Sequence, residues 1–583
     1  MSLGLIIKAT GTLAELALPY ILSTILDEVI PGAVAGGQGN RQGIYAILLW
    51  GGLMVLCAVV AFAFNVIANR MASRVARDTA RYIRHDLFDS TLRLSCAQAD
   101  QFTVPSLESR LTSDTYNVHH LVGMMQRLGV RAPILLVGGI LITLALDPVL
   151  TLVMLCALPL IGLTVFLVSH RGVSLYKQAQ RSGDAMVRVV REDAQGIRVI
   201  KALSRKDYEK QRYEKVNRTL VHDEFRASVT MAISNPLINL ILNLGLVAVL
   251  AVGAYRVHLG LCLPGKIIAF IQYFTLLSNA LLSITRIFMM FTKGATSMNR
   301  INEVVDAAAA HGRTPAGNHL PVPAGQAGGE SYLTFDHVSF SYQGKTDNLK
   351  DVSFTLSRGQ TLGIIGATGS GKTTLLSLLL RFYRLPEGAG AIRIDGKDIR
   401  DMDAAELRSR FGIAMQNDFL YAGTVEENID FGRKLSHEQV ERAARMAQAH
   451  DFIMSLSGGY AHRLTSRGTN LSGGQKQRLL IARALAGDPE VILLDDASSA
   501  LDYRTDAALR QALREESQAA AEAGRAVTTV VVAQRVSSIK HADLILVLDG
   551  GAVIGQGRHE ALLENCPVYR EIAQSQMGGA ILD

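Results

Sequence analysis

Two stretches of the chain, residues 42–69 and 227–255, contain no Asp, Glu, Lys or Arg. Each exceeds the about 20 residues that an α-helix needs to cross a bilayer. A soluble surface helix shows a polar face to water, so uncharged runs of this length point to membrane spans. Residues 149–169 form a third run of the same kind. Three further runs are less clean: 3–30 carries Lys8 and Glu15, 121–146 carries Arg127 and Arg131, and 267–285 continues past Arg286. Six spans are therefore expected, all in the first half. A composition of 49% hydrophobic and 19% charged residues, with mean hydropathy +0.22, excludes both a disordered chain and an ordinary soluble enzyme.

The excess of 59 Lys+Arg over 52 Asp+Glu, a net +7, fits nucleic acid or cytoplasmic loops beside anionic lipid. Its distribution decides. Arg70, Arg74, Arg77, Arg81, Arg84 and Arg93 follow the second run, and a denser set from Arg171 to Arg226 separates the fourth from the fifth. The connections after the first, third and fifth runs offer only Arg41, Asp147 and Arg256. Basic residues mark cytoplasmic loops, so both termini are expected in the cytoplasm, and nucleic acid loses its support. The two basic segments are rich in helix formers and read as helices continuing out of the membrane. The cysteines Cys57, Cys96, Cys156, Cys262 and Cys566 show no CxxC pair and suit packing rather than disulfides or metal. There is no secretory signal pattern and no long repeat.

Residues 307–330 turn to Ala, Gly and Pro and read as a linker. Beyond it, β-rich runs at 361–365, 392–394, 491–494 and 527–532 alternate with helical stretches, the pattern of an α/β domain. The expected organisation is an α-helical polytopic membrane domain over 1–306, a linker over 307–330 and an α/β P-loop domain over 331–583.

Gly366-Ala-Thr368-Gly369-Ser370-Gly371-Lys372-Thr373 follows an apolar strand and precedes TLLSLLL, matching GxxxxGK(S/T) in a strand–loop–helix setting. Glycines let backbone N–H groups converge on phosphates, a helix N-terminus adds positive potential, Lys372 neutralises the β- and γ-oxygens, and the Thr373 hydroxyl can ligate Mg²⁺. Thr374 completes the set. A nucleoside triphosphate is the expected ligand. Asp495 ends the apolar strand ILLD, where a carboxylate can hold Mg²⁺. Between the two lies Leu471-Ser472-Gly473-Gly474-Gln475.

Taken together, these residues resemble the nucleotide-binding domain of an ATP-binding cassette (ABC) transporter. Six spans followed by one cassette resemble an ABC exporter half-transporter over nearly the whole chain. The resemblance implies further roles. Tyr342 in VSFSY would stack on adenine, the alternative being a core strand tyrosine. Gln416 in IAMQN would be the Q-loop residue touching Mg²⁺. Ser499, Ala500, Leu501 and Asp502 would form the D-loop, and Arg467 and Gly468 the loop before the signature. In this family two cassettes pair head to tail, so Ser472, Gly473, Gly474 and Gln475 would face an ATP on the phosphate loop of a second half-transporter.

Two positions depart from the family pattern. Its catalytic Glu is replaced by Asp496 in LLDDASSALD, and its switch His by Gln534 in VVVAQRVSSI. Asp is shorter than Glu by one C–C bond of about 1.5 Å, and Gln has no imidazole to titrate. Hydrolysis at this chain's own phosphate loop is therefore expected to be slow, which resembles the degenerate-site subunit of a heterodimeric exporter. The partner chain would carry the Glu, the His and a less perfect signature.

The implied activity is ATP-driven outward transport of an amphipathic solute such as a drug, lipid or peptide, in a bacterial inner or plasma membrane with the cassette cytoplasmic. An exporter-fold importer of siderophores and an ATP-gated regulatory or channel-like protein remain as alternatives. Asn235, Asn239 and Asn243 share one helix face, which suits either a solute path or hydrogen bonds between helices. His119 and His120 read as structural. Coupling helices would map near 96–102 and 203–208. The chain starts almost at its first span, leaving little room for the family's amphipathic elbow helix, so a truncated or misassigned N-terminus is expected.

Overall fold

The computed structural model describes residues 2–35, 41–312, 331–342, 344, 346–416, 419–497 and 499–577. It divides into two compact units, Met1–Arg93 with Phe102–Ala309, and Leu94–Gln101 with Ala310–Asp583.

The first unit is helical. Helix α1 (Ser2–Thr24) continues through a π-helical turn to Ala35, and α2 spans Arg41–Arg93; the short α3 (Cys96–Phe102) that follows belongs, as far as Gln101, to the second unit. Then come α4 (Thr115–Leu146), α5 (Pro148–Ala202), α6 (Lys206–Ala232), α7 (Ser234–His258) and α8 (Pro264–Gly312). Six stretches are long and apolar enough to cross a membrane: Ser2–Val34, Arg41–Arg93, Val104–Leu146, Pro148–Ala202, Lys206–His258 and Pro264–Ala309. The basic segments are helical, as their composition predicts: α2 and α5 run without a break out of their apolar portions. Helix α8 continues through the alanines of residues 307–310 as far as Gly312, further than composition suggested, because alanine is the strongest helix former. The rest of the expected linker, 313–330, lies outside the described residues.

Polar ties fix the helices against one another. Asp147 caps α5, its carboxylate accepting from the N–H groups of Val149 (2.9 Å) and Leu150 (3.1 Å), and pairs with Arg256 at 3.1 Å. Asp114 pairs with Arg300 at 3.0 Å and accepts from the Ser297 hydroxyl at 2.7 Å. Tyr273, fully buried, donates to the Leu16 carbonyl at 2.7 Å within a core that includes Leu135, Met154, Phe274 and Leu277.

In the second unit, β1 (Ser331–Phe340), β2 (Leu349–Ser357), β4 (Ala391–Ile394) and β5 (Lys397–Asp398) form an antiparallel sheet in the order β2-β1-β4-β5. The larger sheet comprises β3 (Thr361–Gly366), β6 (Phe411–Ala414), β7 (Val491–Asp495), β8 (Thr528–Val532), β9 (Leu544–Asp549) and β10 (Ala552–Gly557), ordered β10-β9-β3-β8-β7-β6. Every neighbouring pair in it is parallel except β9 with β10. Its strands read as continuous apolar runs because both faces are covered: Leu362, Ile364, Leu493, Val530 and Val532 are buried with Leu375, Leu376 and Leu379 of helix α9 (Lys372–Leu379). Helices α10 (Gly473–Leu485) and α11 (Tyr503–Glu522) complete the set needed below.

Candidate functional site

Four adjacent parallel strands end at the same edge of the larger sheet, and each delivers a candidate residue there. Strand β3 ends at Gly366 and opens the phosphate loop, β7 ends at Asp495 with Asp496 next, β8 leads to Gln534, and β6 leads to Gln416. The carboxyl edge of a parallel sheet is where α/β folds bind ligands.

The phosphate loop is shaped by close approach and by backbone hand. A Cβ at Gly366 would lie 2.1 Å from the Leu548 carbonyl oxygen, and Gly371 holds φ at +101° as it caps α9, with a Cβ there 2.7 Å from the Asn348 oxygen. Thr368, Gly369 and Ser370 form the turn between them, and the buried Ser370 hydroxyl has no hydrogen-bond partner among the described residues. Lys372 is folded over the loop, its Nζ donating to the carbonyls of Gly366 (2.8 Å) and Ala367 (2.7 Å). Burial holds its ammonium below its ordinary pKa, partly offset by Asp495 and Asp496. An unsatisfied hydroxyl, a cation resting only on carbonyls and the N-terminus of α9 make a cradle suited to phosphate oxygens. The Thr373 hydroxyl donates to Asp495 Oδ2 at 3.1 Å, two oxygen ligands side by side of the kind Mg²⁺ takes. Burial is the main cause that raises the carboxyl pKa of Asp495, and the same is true of Asp496.

Asp496 adopts a left-handed backbone, φ +51°, and its N–H donates to the Val532 carbonyl at 3.0 Å, which ties the end of β7 to β8. Its Oδ2 accepts from Gln534 Nε2 at 2.7 Å and lies 3.4 Å from Gln416 Nε2. The two residues that depart from the family pattern thus hydrogen-bond to each other.

Tyr342 lies beyond the end of β1 and is 43% exposed, so it is not a core strand tyrosine. Its hydroxyl donates to Thr374 at 3.3 Å, and its ring meets those of Phe340 and Tyr383 edge-on, with centroids 5.1 and 4.7 Å away. An exposed aromatic face beside the phosphate loop is a platform on which a base can stack.

The signature stands apart from this group. Ser472 caps α10 in a reciprocal box with Gln475: its Oγ accepts from the Gln475 N–H at 3.3 Å, and its own N–H donates to Gln475 Oε1 at 2.9 Å. Ser472 and Gly473 are exposed. A Cβ on Gly473 would meet only Ala500 Cβ at 3.7 Å, an ordinary contact, whereas one on Gly474 would approach the Ala500 oxygen to 3.1 Å. Among the described residues nothing requires glycine at 473. Asp502 caps α11 through Thr505, and its carboxyl lies below the ordinary range chiefly because the Thr505 N–H bonds to it.

Two further residues that no motif marks, Gln477 and Tyr383, join these groups. Gln477 donates to the Ser499 hydroxyl at 3.1 Å and accepts from the Ala500 N–H at 2.8 Å, linking α10 to the D-loop. Tyr383 donates to Asp100 at 2.6 Å, within the unit that includes Leu94–Gln101. The only sequence signals were KQR after the signature and an aromatic pair, Phe382-Tyr383, after the phosphate-loop helix.

Comparison with known proteins agrees with this architecture. Residues 1–281 match the family model of the ABC transporter transmembrane region, and residues 349–499 match that of the ABC transporter. The ATP-binding protein YfiB of Bacillus subtilis is 33% identical over 99% of this chain and 96% of its own length. The chain belongs to the ABC transporters. The ABC transporter ATP-binding protein Rv1273c of Mycobacterium tuberculosis is 32% identical over 98% of this chain and 95% of its own. A bacterial Atm1-family ABC exporter with ATP bound superposes with a TM-score of 0.78 at 25% identity, covering 99% of this chain and 97% of that one. The ABC transporter described here is thus of exporter type, a multi-pass integral membrane protein with an ATP-binding domain.

Proposed function

We propose that this chain is one subunit of a heterodimeric ABC exporter, that its own phosphate loop binds ATP with Mg²⁺ but hydrolyses it poorly, and that its signature completes the competent site of a different partner chain. Phosphate would be held by the loop backbone, Lys372 and Ser370, adenine by Tyr342, and Mg²⁺ by Thr373 and Asp495 with Gln416 nearby. Bound Mg²⁺ would offset negative charge on the phosphates. Each of these residue types fits its role, and the intact cradle supports binding.

The observation that carries the poor-hydrolysis reading is the bond from Gln534 to Asp496 at 2.7 Å. A general base needs a free lone pair within about 2.6–3.2 Å of the proton it takes. Here the carboxylate is a methylene short, and one oxygen already accepts an amide. The partner reading is supported by Gly473, for which the described residues show no steric need, and by the exposed Ser472. A backbone N–H and a helix N-terminus offered outward suit the γ-phosphate of a nucleotide held by a second chain.

The solute reading is supported by α7. Asn235, Asn239 and Asn243 are all exposed in the single chain, and Asn243 donates to the Asn239 carbonyl of its own helix at 2.8 Å. Among the described residues none of the three bonds to another helix. Amides at membrane depth face protein or water, which leaves a partner or an aqueous path.

The test is ATPase activity of the chain purified alone and with a co-expressed half-transporter carrying Glu and His at the corresponding positions. The proposal predicts little turnover alone and substantial turnover for the pair. Brisk turnover by the lone chain would overturn it.

A further inference from the structure

The membrane unit contains a cavity of about 690 Å³ between α1, α2 and α4. Drug-sized ligands occupy pockets of roughly 300–1,000 Å³. Its charge is unbalanced: Lys8, Arg127 and Arg131 line it against a single carboxylate, Glu15. Glu15 is already committed, with both oxygens accepting from Arg131 at 2.6 and 3.2 Å. Two cations remain. Lys8 is 4% exposed and donates to the neutral amide oxygens of Asn65 (2.6 Å) and Asn69 (3.2 Å). Arg127 folds back on its own helix, its Nε donating to the Gly123 carbonyl at 3.1 Å. Among the described residues neither has a carboxylate partner. A further polar atom on the cavity wall, His120 Nδ1, is buried without a hydrogen-bond partner.

Charges at membrane depth are costly and mark ligand paths unless they are paired. The depth follows from helix geometry. Helix α4 ends at Leu146, which the basic-loop rule puts on the outer side, and at 1.5 Å per residue Arg131 lies about 22 Å and Arg127 about 28 Å from it. In a hydrocarbon core of about 30 Å, both fall in the cytoplasmic third. The remaining wall is apolar: Phe62, Met124 and Leu128 line it beside the cations.

We propose that this cavity is a binding subsite for the phosphate headgroup of an amphiphile drawn from the cytoplasmic leaflet, with Lys8 and Arg127 as the receiving cations. The inference deepens the export reading by naming a substrate class, and rests on that reading for the ligand's fate. Arg127 and Lys8 offer donors of the kind that match phosphate oxygens. The Glu15–Arg131 pair sits beside them, and its carboxylate limits the positive potential. The apolar wall argues for an attached acyl tail over a free inorganic anion, which would gain nothing from Phe62 and Leu128.

The test measures binding without nucleotide, using the full chain in micelles of a phosphate-free maltoside detergent and a fluorescent lysophosphatidic acid as probe. Saturable binding is expected, with Arg127→Gln weakening it at least about tenfold, the ratio that losing one charge-assisted hydrogen bond produces. Arg127→Lys should recover most of it. Glu15→Gln, which releases Arg131 from its partner, should tighten binding, a direction that general damage to the fold does not produce. Equal binding of a phosphate-free analogue with the same tail, or indifference to Arg127→Gln and Glu15→Gln, would overturn the proposal. Displacement of the probe by inorganic phosphate at matching concentration would overturn the amphiphile assignment in favour of a free anion. Because no ATP is present, a failed export reading leaves this binding intact, and absent binding leaves the ATPase reading intact.

Discussion

Restoring the family residues at the two departures, Asp496→Glu with Gln534→His, should switch on hydrolysis at this chain's phosphate loop. The side chain of Asp496 ends one C–C bond, about 1.5 Å, short of where a glutamate would end, and misplacement of about 1 Å can cost a reaction on the order of 10²-fold. The second obstacle is the Gln534 amide on Oδ2 at 2.7 Å. A hydrogen bond to a charged group contributes about 1.5–3 kcal/mol, and a base that must shed it loses about that much driving force. A factor of 10² corresponds to about 2.7 kcal/mol, the same scale. Asp496→Glu alone, with the amide still present, is therefore expected to raise the rate by about 10²-fold, and the double variant by about 10³–10⁴-fold, within the about 10²–10⁴ range of a positioned base. Since the chain carries an intact LSGGQ, two copies of the double variant contain every part of a competent site. The assay is single-turnover phosphate release by the full chain in nanodiscs at saturating Mg-ATP. A wild-type rate equal to that of the double variant would refute the reasoning about reach and lone-pair occupancy.

Asp495→Asn should stabilise the nucleotide-free full chain above the carboxylate titration range and remove Mg²⁺-dependent tightening of ATP binding. The sign follows from the raised pKa: burial penalises the ionised form, so the penalty is absent while the group is protonated and grows as pH rises through the folded pKa. Thermal melts from pH 4 to 8 check it, and a gain that is flat across that window would contradict it. The two glycines 366 and 473 should behave oppositely. Gly366→Ala forces a Cβ to within 2.1 Å of a carbonyl oxygen and should destabilise the chain by about 3 kcal/mol or more, read as loss of folded protein in size-exclusion chromatography. Gly473→Ala should leave the melting temperature and the chain's own ATP affinity unchanged while lowering turnover of the assembled pair. Tyr383→Phe removes the donor to Asp100 at 2.6 Å and should leave ATP binding intact while weakening the response of ATPase activity to added solute, which a stimulation curve would register.

The spans and the phosphate loop were readable from the chain because each depends on local information: uncharged runs such as 227–255 declare a helix in lipid, and the glycine spacing before Lys372 declares a turn. What could not be read was which faces meet. That Asn235, Asn239 and Asn243 share a face follows from helical period, but their exposure depends on how α7 packs. Lys8 in α1 meets Asn65 and Asn69 in α2, and nothing in a hydropathy profile sets that rotation. The Gln534–Asp496 bond joins residues 38 apart in sequence, brought together because β7 and β8 are neighbours in register, Asp495 beside Val532. Two substitutions that look independent along the chain are one hydrogen-bonded pair in space.

The proposed division of labour requires this chain's phosphate loop to keep its ATP intact. The direct measurement is the chemical state of the nucleotide held there. The assembled pair would be incubated with radiolabelled Mg-ATP, freed of unbound nucleotide by rapid gel filtration, and its bound nucleotide resolved by chromatography, with Lys372→Ala identifying the fraction held by this chain. The fraction lost in Lys372→Ala should be uncleaved ATP, persisting while the partner's site turns over. Recovery of ADP in that fraction, at a rate matching bulk turnover, would contradict it.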